Sequence, residues 1–326
     1  MKATLNNASD TSAVSGTASD IASVRAAVTG FIQGKDDVVD LAMCCLLAGG
    51  HLLLEDVPGT GKTSLARTLA RGLSLTWNRI QFTPDVMPSD VTGVTVYHQS
   101  SEEFEFHPGP VFASILLADE INRATPRTQA ALLEAMEERT VTVDGRTHEL
   151  PDPFLVIATQ NPVESAGTYP LPEAQLDRFL MRTSMGYPDH SAEVAVVTAH
   201  HQGRRVNDVE PAIDVEATRD LVSAAESVHI DPSLVDYIVS LVEATRGAPG
   251  VVLGASPRGS IGLLRASRAW ALLNGRDFVV PGDVHQLAAP VLAHRLVLSV
   301  DSRARGDSAA DVVTSLMDRI PSPQGG

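Results

Sequence analysis

Three short, almost uninterrupted apolar runs stand out in the first half of the chain: Leu52-Leu53-Leu54, Ile115-Leu116-Leu117-Ala118 and Phe154-Leu155-Val156-Ile157-Ala158. Each has the length of one strand, and a run apolar at successive positions is the signature of a strand covered on both faces, as in a parallel sheet. Leu75 to Phe82 reads as a further strand, after which Pro84, Pro88 and Asp90 break the pattern. Helical spacing separates these runs. Ile21, Val24, Val28 and Phe31 share one face, Lys35 to Leu47 forms a second helix, Ser64 to Ala70 a third, and Gln129, Leu132, Leu133 and Met136 line a fourth. Two stretches alternate instead. Val94 and Val96 answer Phe104 and Phe106 across Gln99-Ser100-Ser101, with Pro108-Gly109-Pro110 closing the hairpin, and Thr140 to Val143 answers Arg146 to Leu150 across Asp144-Gly145. Asp-Gly is the favoured pair for a tight type I′ turn. Beyond Met185-Gly186-Tyr187-Pro188 the pattern is helical: Ala192–His201, Ala217–Val228, Ser233–Thr245 and a helix opened by Phe278 to Asp283. The expected architecture is an α/β parallel-sheet domain with two inserted β-hairpins over residues 19–186. A smaller all-α domain over 187–320 follows, with a Ser/Thr/Ala/Asn-rich disordered leader (1–18) before them and a frayed tail (321–326) after them.

The first apolar run ends in Glu55-Asp56-Val57-Pro58-Gly59-Thr60-Gly61-Lys62-Thr63-Ser64 and passes straight into a helix. Strand, glycine-rich turn and helix in this order make a phosphate-binding loop. Glycines let the backbone N–H groups turn inward around an anion, and the helix adds the positive end of its dipole. Pro58, Gly59, Thr60, Gly61, Lys62, Thr63 and Ser64 are the candidate nucleotide-binding residues; Lys62 would reach the β- and γ-phosphates, and the Thr63 hydroxyl would ligate Mg²⁺. The usual pattern begins with glycine five residues before Gly61, where this chain has Asp56. The second run ends in Asp119-Glu120. In a phosphate-loop enzyme Asp119 would hold Mg²⁺ and Glu120 would polarise the attacking water; the plainer alternative is an acidic helix start. The third run ends in Gln160-Asn161-Pro162, where an amide could hold the attacking water or touch the γ-phosphate, or simply form a turn before proline.

Together these motifs resemble an AAA+ ATPase, through the phosphate loop, Leu117 to Arg123 and Ile157 to Pro162. Tyr169 to Phe179 and the two hairpins are similar to those of the MoxR group. The likeness covers nearly everything from about residue 20 to the tail, and it tolerates Asp56. It implies that Asn161 is sensor 1 and that Arg178 is an arginine finger reaching the ATP of a neighbouring subunit; a local ion pair with Asp177 is the alternative. Such fingers are worth roughly 10³–10⁵ in rate, whereas an exposed salt bridge is worth ~0–1 kcal/mol. In Ser256-Pro257-Arg258, Ser256 is a helix cap and Pro257 the first helical residue, so Arg258 opposes the helix dipole and needs an anion. The resemblance makes it sensor 2, bridging the lid to the γ-phosphate within one subunit. It further implies ATP and Mg²⁺ as cofactors and a ring, a hexamer. A chaperone-like role beside a von Willebrand factor A domain protein, on client complexes, follows from the same likeness.

Charge and composition narrow the alternatives. With 25 basic and 40 acidic side chains the formal charge is −15, which disfavours a nucleic-acid motor, the rival reading from related AAA+ rings. A nucleotide-gated scaffold with little turnover is a third. Cys44 and Cys45 sit in an apolar stretch too short to span a bilayer and read as buried core thiols. With no signal-peptide pattern, the cytoplasm is expected. The ten histidines show no metal-ligand spacing, and adjacent His200 and His201 would point apart on a helix. Mg²⁺ is therefore the only metal expected.

Overall fold

The computed structural model describes residues 7–57, 59–161 and 167–323. Two helices, α1 (Asn7–Thr29) and α2 (Asp36–Leu47), precede strand β1 (Leu52–Glu55). Helix α3 (Lys62–Gly72) and β2 (Trp77–Gln81) follow, then a single turn α4 (Pro88–Thr92) and the hairpin β3 (Gly93–His98) and β4 (Glu103–Pro108). Next come β5 (Ile115–Asp119), α5 (Pro126–Glu138), the hairpin β6 (Thr140–Val143) and β7 (Arg146–Glu149), β8 (Leu155–Gln160), the short α6 (Glu173–Leu176) and β9 (Met181–Thr183). The remainder is helical: α7 (His190–His201), α8 (Val215–Ser227), α9 (Pro232–Thr245), α10 (Pro257–Leu273), α11 (Pro281–Leu292), α12 (Val300–Arg305) and α13 (Ala309–Arg319). A two-stranded ribbon of β10 (Val251–Leu253) and β11 (Val297–Leu298) is set among them.

The central sheet runs in the order β2-β5-β8-β1-β9 with every pair parallel. Its three inner strands, β5, β8 and β1, are apolar up to their C-terminal ends because both faces are covered, and the two-residue period of a strand decides which side chain meets which cover. Leu52, Leu54, Ile115, Leu117, Leu155 and Ile157 belong to the core formed with α1–α3 and the lid helices, whereas Leu53, Leu116, Ala118, Val156 and Ala158 pack beneath α5. The first of these cores continues without a break from α1 into α8–α11 and α13. The β6–β7 turn is the type I′ turn expected, with Asp144 at φ 51° and Gly145 at φ 77°.

One expectation changes. Residues 7–18, read as part of a disordered leader, continue α1 as helix. Ile21, Val24 and Val28 are buried against the body, and a docked helix propagates cheaply into Ala/Ser/Thr sequence once its nucleus is fixed. Residues 1–6 of that leader, residues 324–326 of the tail, Pro58 and Pro162 lie outside the described residues. Cys44 and Cys45 are fully buried free thiols, and burial pushes both above the ordinary thiol range.

Candidate active site

The phosphate loop leaves the C-terminal end of β1 and enters α3 through Gly61, whose φ of +93° is the helix cap. Gly59 sits at φ +87°, and a Cβ there would meet nothing within 4 Å, so the loop is an open cradle whose backbone only glycine adopts freely. The Lys62 ammonium folds back over it and donates to the Asp56 and Val57 carbonyls, each at 3.2 Å. The Thr60 hydroxyl donates to the Val57 carbonyl at 3.4 Å, and Ser64 sits half-buried in the first turn of α3. Asp56, the departure from the usual loop, is a buried structural tie. Its carboxylate accepts the backbone N–H groups of Met185 and Gly186 and the Ser184 hydroxyl, fastening the loop to the segment that leaves β9.

A cavity of ≈ 260 Å³ opens beside the cradle. Gly59, Gly61, Lys62 and Thr63 line one side; Asp119, Glu120, Thr159 and Asn161 line the other. The parallel register explains this meeting, because β5 and β8 end level with each other, with Ala118 paired to Ala158. Thr159 then lies between the two acids. Its hydroxyl donates to Asp119 Oδ1 at 2.6 Å and accepts the Glu120 N–H at 2.8 Å. Glu120 turns out of the strand in the left-handed conformation, φ 57°, a sparsely populated state for a residue with a side chain. Arg79 on the edge strand β2 donates to Asp119 Oδ2 at 2.6 Å and to Gln81 at 2.8 Å. Neither Thr159 nor Arg79 stands out in the sequence, since their partner is a neighbour only after the strands pair. The oxygen donors Thr63 and Asp119 suit Mg²⁺, and the open glycine cradle beside Lys62 suits a polyphosphate.

Arg178 and Arg258 are not in this cavity. Arg178 precedes β9, and Met181 pairs with Leu52 at the start of β1, so Arg178 stands at the opposite end of the sheet from the phosphate loop. The four residues of β1 alone separate the ends by about 13 Å. A second cavity of ≈ 290 Å³ lies there, bordered by Gly49, Gly50 and His51, which lead into β1. Arg178 Nη2 is 2.9 Å from Glu137 Oε2, and Arg258 is paired with the other oxygen of the same carboxylate. Glu137, near the end of α5, thus supplies the anion that an arginine in the first turn of α10 requires. The expectation that Arg258 reaches the phosphates of its own chain is not met in this structure, because the start of α10 docks at the Arg178 end of the sheet, where Arg258 pairs with Glu137.

The expected alternative partner of Arg178, Asp177, is taken by another residue. Arg295 Nε lies 2.8 Å from Asp177 Oδ1, and the same guanidinium donates to the carbonyls of Phe179 and Leu180. Ser256, capping α10, donates to the other oxygen of Asp177 at 2.9 Å. Five guanidiniums (Arg139, Arg178, Arg258, Arg265, Arg295) meet two carboxylates around this cavity, a concentrated positive patch on a chain of charge −15. His51 forms its floor. The ring accepts the Val156 N–H at Nδ1 and faces the Met136 carbonyl with Nε2, and burial pushes its pKa down to about 3, so it is neutral.

Comparison with known proteins gives consistent matches. Residues 51–181 match the model of the ATPase family associated with various cellular activities (AAA), and residues 243–316 match the AAA lid domain. The chain is 43% identical to the protein named Chaperone MoxR1 of Mycobacterium tuberculosis, over 90% of this chain and 80% of that one. It is 34% identical to Protein MoxR of Methylorubrum extorquens, over 90% and 92%, and 50% identical to the uncharacterized protein YeaC of Bacillus subtilis, over 89% and 91%. A crystal structure of a candidate ATPase from Cytophaga hutchinsonii superposes with a TM-score of 0.91 at 37% identity, covering 97% of this chain and 98% of that one.

Proposed function

The chain belongs to the MoxR family of AAA ATPases, and from that premise we propose that it hydrolyses ATP at sites shared between adjoining copies of itself. The observation that carries this reading is the separation of the two half-sites. Lys62, Thr63, Asp119, Glu120 and Asn161 face one cavity, and Arg178 and Arg258 face another at the far end of the same sheet. In this structure the chain's own arginines stand away from its own phosphate loop, which supports completion of the site by another copy. A head-to-tail contact that repeats around a closed ring meets the requirement, because each copy then offers its arginine end to the next copy's loop. A hexamer is the number that the family likeness favours.

In that arrangement the loop N–H groups and Lys62 hold the β- and γ-phosphates. Thr63 and Asp119 would hold Mg²⁺, which when bound neutralises phosphate charge. Glu120 accepts a proton from the attacking water as its oxygen bonds to the γ-phosphorus and the bond to the β,γ-bridging oxygen breaks, releasing ADP and phosphate. Asn161 positions that water. Arg178 and Arg258 of the adjoining copy leave Glu137 to neutralise the oxygens of the transferring phosphoryl group. Because the relatives include a named chaperone, the turnover is assigned to remodelling or maturing client protein complexes, with a von Willebrand factor A domain protein as partner and the cytoplasm as the site of action. Among the described residues no helix is long and apolar enough to cross a membrane.

Mixing two inactive variants tests the shared site. Lys62→Ala lacks the phosphate side and Arg178→Ala lacks the finger side; mixed in equal amounts, about a quarter of contacts would pair an intact loop with an intact finger and regain activity. A mixture as inactive as its parts would refute the proposal. A Glu120→Gln variant, expected to bind ATP without cleaving it, provides the trapped state with which clients and the partner protein should co-purify.

A further inference from the structure

The β3–β4 hairpin carries chemistry that ATP hydrolysis does not use. Strand pairing sets Val94 opposite His107, Val96 opposite Glu105 and His98 opposite Glu103, so His98, Glu105 and His107 share one face of the ribbon. The other face holds Tyr97, Phe104 and Phe106, and Phe106 stacks on His148 of the second hairpin at 4.0 Å between ring centres. The hairpin is therefore anchored by its aromatic face, and the histidine face is turned away from that anchor. Two imidazoles and a carboxylate converge there, one potential ligand atom each, all within 4.8 Å of one another.

We propose that His98, Glu105 and His107 form a binding site for a zinc-like divalent cation. With metal–nitrogen and metal–oxygen bonds of about 2.0–2.2 Å, a tetrahedral site separates its ligand atoms by about 3.3–3.5 Å. The distances from Glu105 Oε2 lie on either side of that value, at 2.8 Å to His98 Nε2 and 3.9 Å to His107 Nε2. Small rotations of exposed side chains complete the geometry. His98 Nε2 is also shielded from solvent and makes no hydrogen bond, despite its nearness to Glu105.

Nitrogen donors select zinc-like ions over Mg²⁺ or Ca²⁺, which take oxygen ligands. Three protein ligands leave a fourth position for water or for a donor from whatever the hairpin meets. The bound ion would clamp β3 to β4 across the exposed end of the ribbon. Spacing alone conceals the site, because the histidines come from different strands and only the hairpin register brings them together.

The test is titration of Zn²⁺ into the chelator-stripped full chain, with Mg²⁺ and ADP present to keep the nucleotide cavity filled. Co²⁺ serves as the visible-absorption probe of a tetrahedral site. One equivalent should bind, with a tetrahedral Co²⁺ spectrum. His98→Ala and His107→Ala should each weaken binding roughly tenfold or more, and the double variant should abolish it, while His200→Ala/His201→Ala leaves it intact. Unchanged basal ATPase activity in the His98 and His107 variants would show that the fold survives. Zn²⁺ binding equal in the double variant and the parent, or no binding by the parent, would overturn the proposal.

Discussion

Thr159 and Asp56 show how much a single position can do without chemistry of its own. The Thr159 hydroxyl fixes both Asp119 and the backbone of Glu120, so Thr159→Val, nearly the same shape, should lower the ATPase rate by roughly 10–100-fold while leaving the protein folded, as steady-state kinetics and thermal melting would show. Asp56 holds two backbone N–H groups beyond β9, one buried and one half-buried. Replacing it with the glycine usual in such loops should destabilise the chain by about 1–3 kcal/mol, measurable as a lower urea midpoint. His51 and His294 set the acid limit. Burial holds His51 down to about 3 and His294 well below its ordinary value, whereas in the unfolded chain both protonate near 6.5. The unfolded state therefore binds the extra protons. Stability is fully present above about pH 6.5 and falls as the pH drops toward 3, by roughly 1.4 kcal/mol per pH unit for each histidine. Urea titrations between neutral pH and about pH 5 should show that slope, shallower in a His51→Gln variant.

Among the elements, the junction of β9 with α10 and α11 matters most for the arginine end. The Arg295 side chain is 3% exposed and joins the lid to Asp177 and to the carbonyls of the turn that carries Arg178. Arg295→Met would leave Asp177 without its buried partner, and a cost of about 3–5 kcal/mol is expected. Chemical denaturation would measure it, and the turn bearing Arg178 should loosen with it. The elements themselves were legible because their periods are unambiguous: the apolar runs became the inner strands, and Asp144-Gly145 became the expected turn. The first half of α1 is not legible as helix because it has no apolar face of its own, and its state depends on the docked half that follows.

For the whole molecule, the separation of loop and arginines means that the proposed shared site makes activity depend on assembly. Specific activity per chain should fall on dilution below the concentration at which the ring dissociates and return with added protein, with sedimentation in ATP following the same curve. A fully active monomer would contradict the shared site. The acidic balance of −15 predicts no salt-sensitive stimulation of hydrolysis by DNA; the concentrated patch of arginines around Glu137 and Asp177 is the face we propose for the neighbouring copy.

The order of motifs along the chain determined the fold class, the phosphate loop, the Asp119-Glu120 pair and the Asn161 strand end, because each is written in neighbouring residues whose local geometry follows from their type. Only the tertiary structure decided where α10 docks, and hence that Arg258 joins Arg178 on Glu137 rather than meeting Lys62. It also decided that Thr159 and Arg79 attend Asp119 and that two histidines and a glutamate gather on one hairpin face. These are meetings between residues far apart in the chain or on different strands. Packing and register create them, and a one-dimensional pattern carries no record of either.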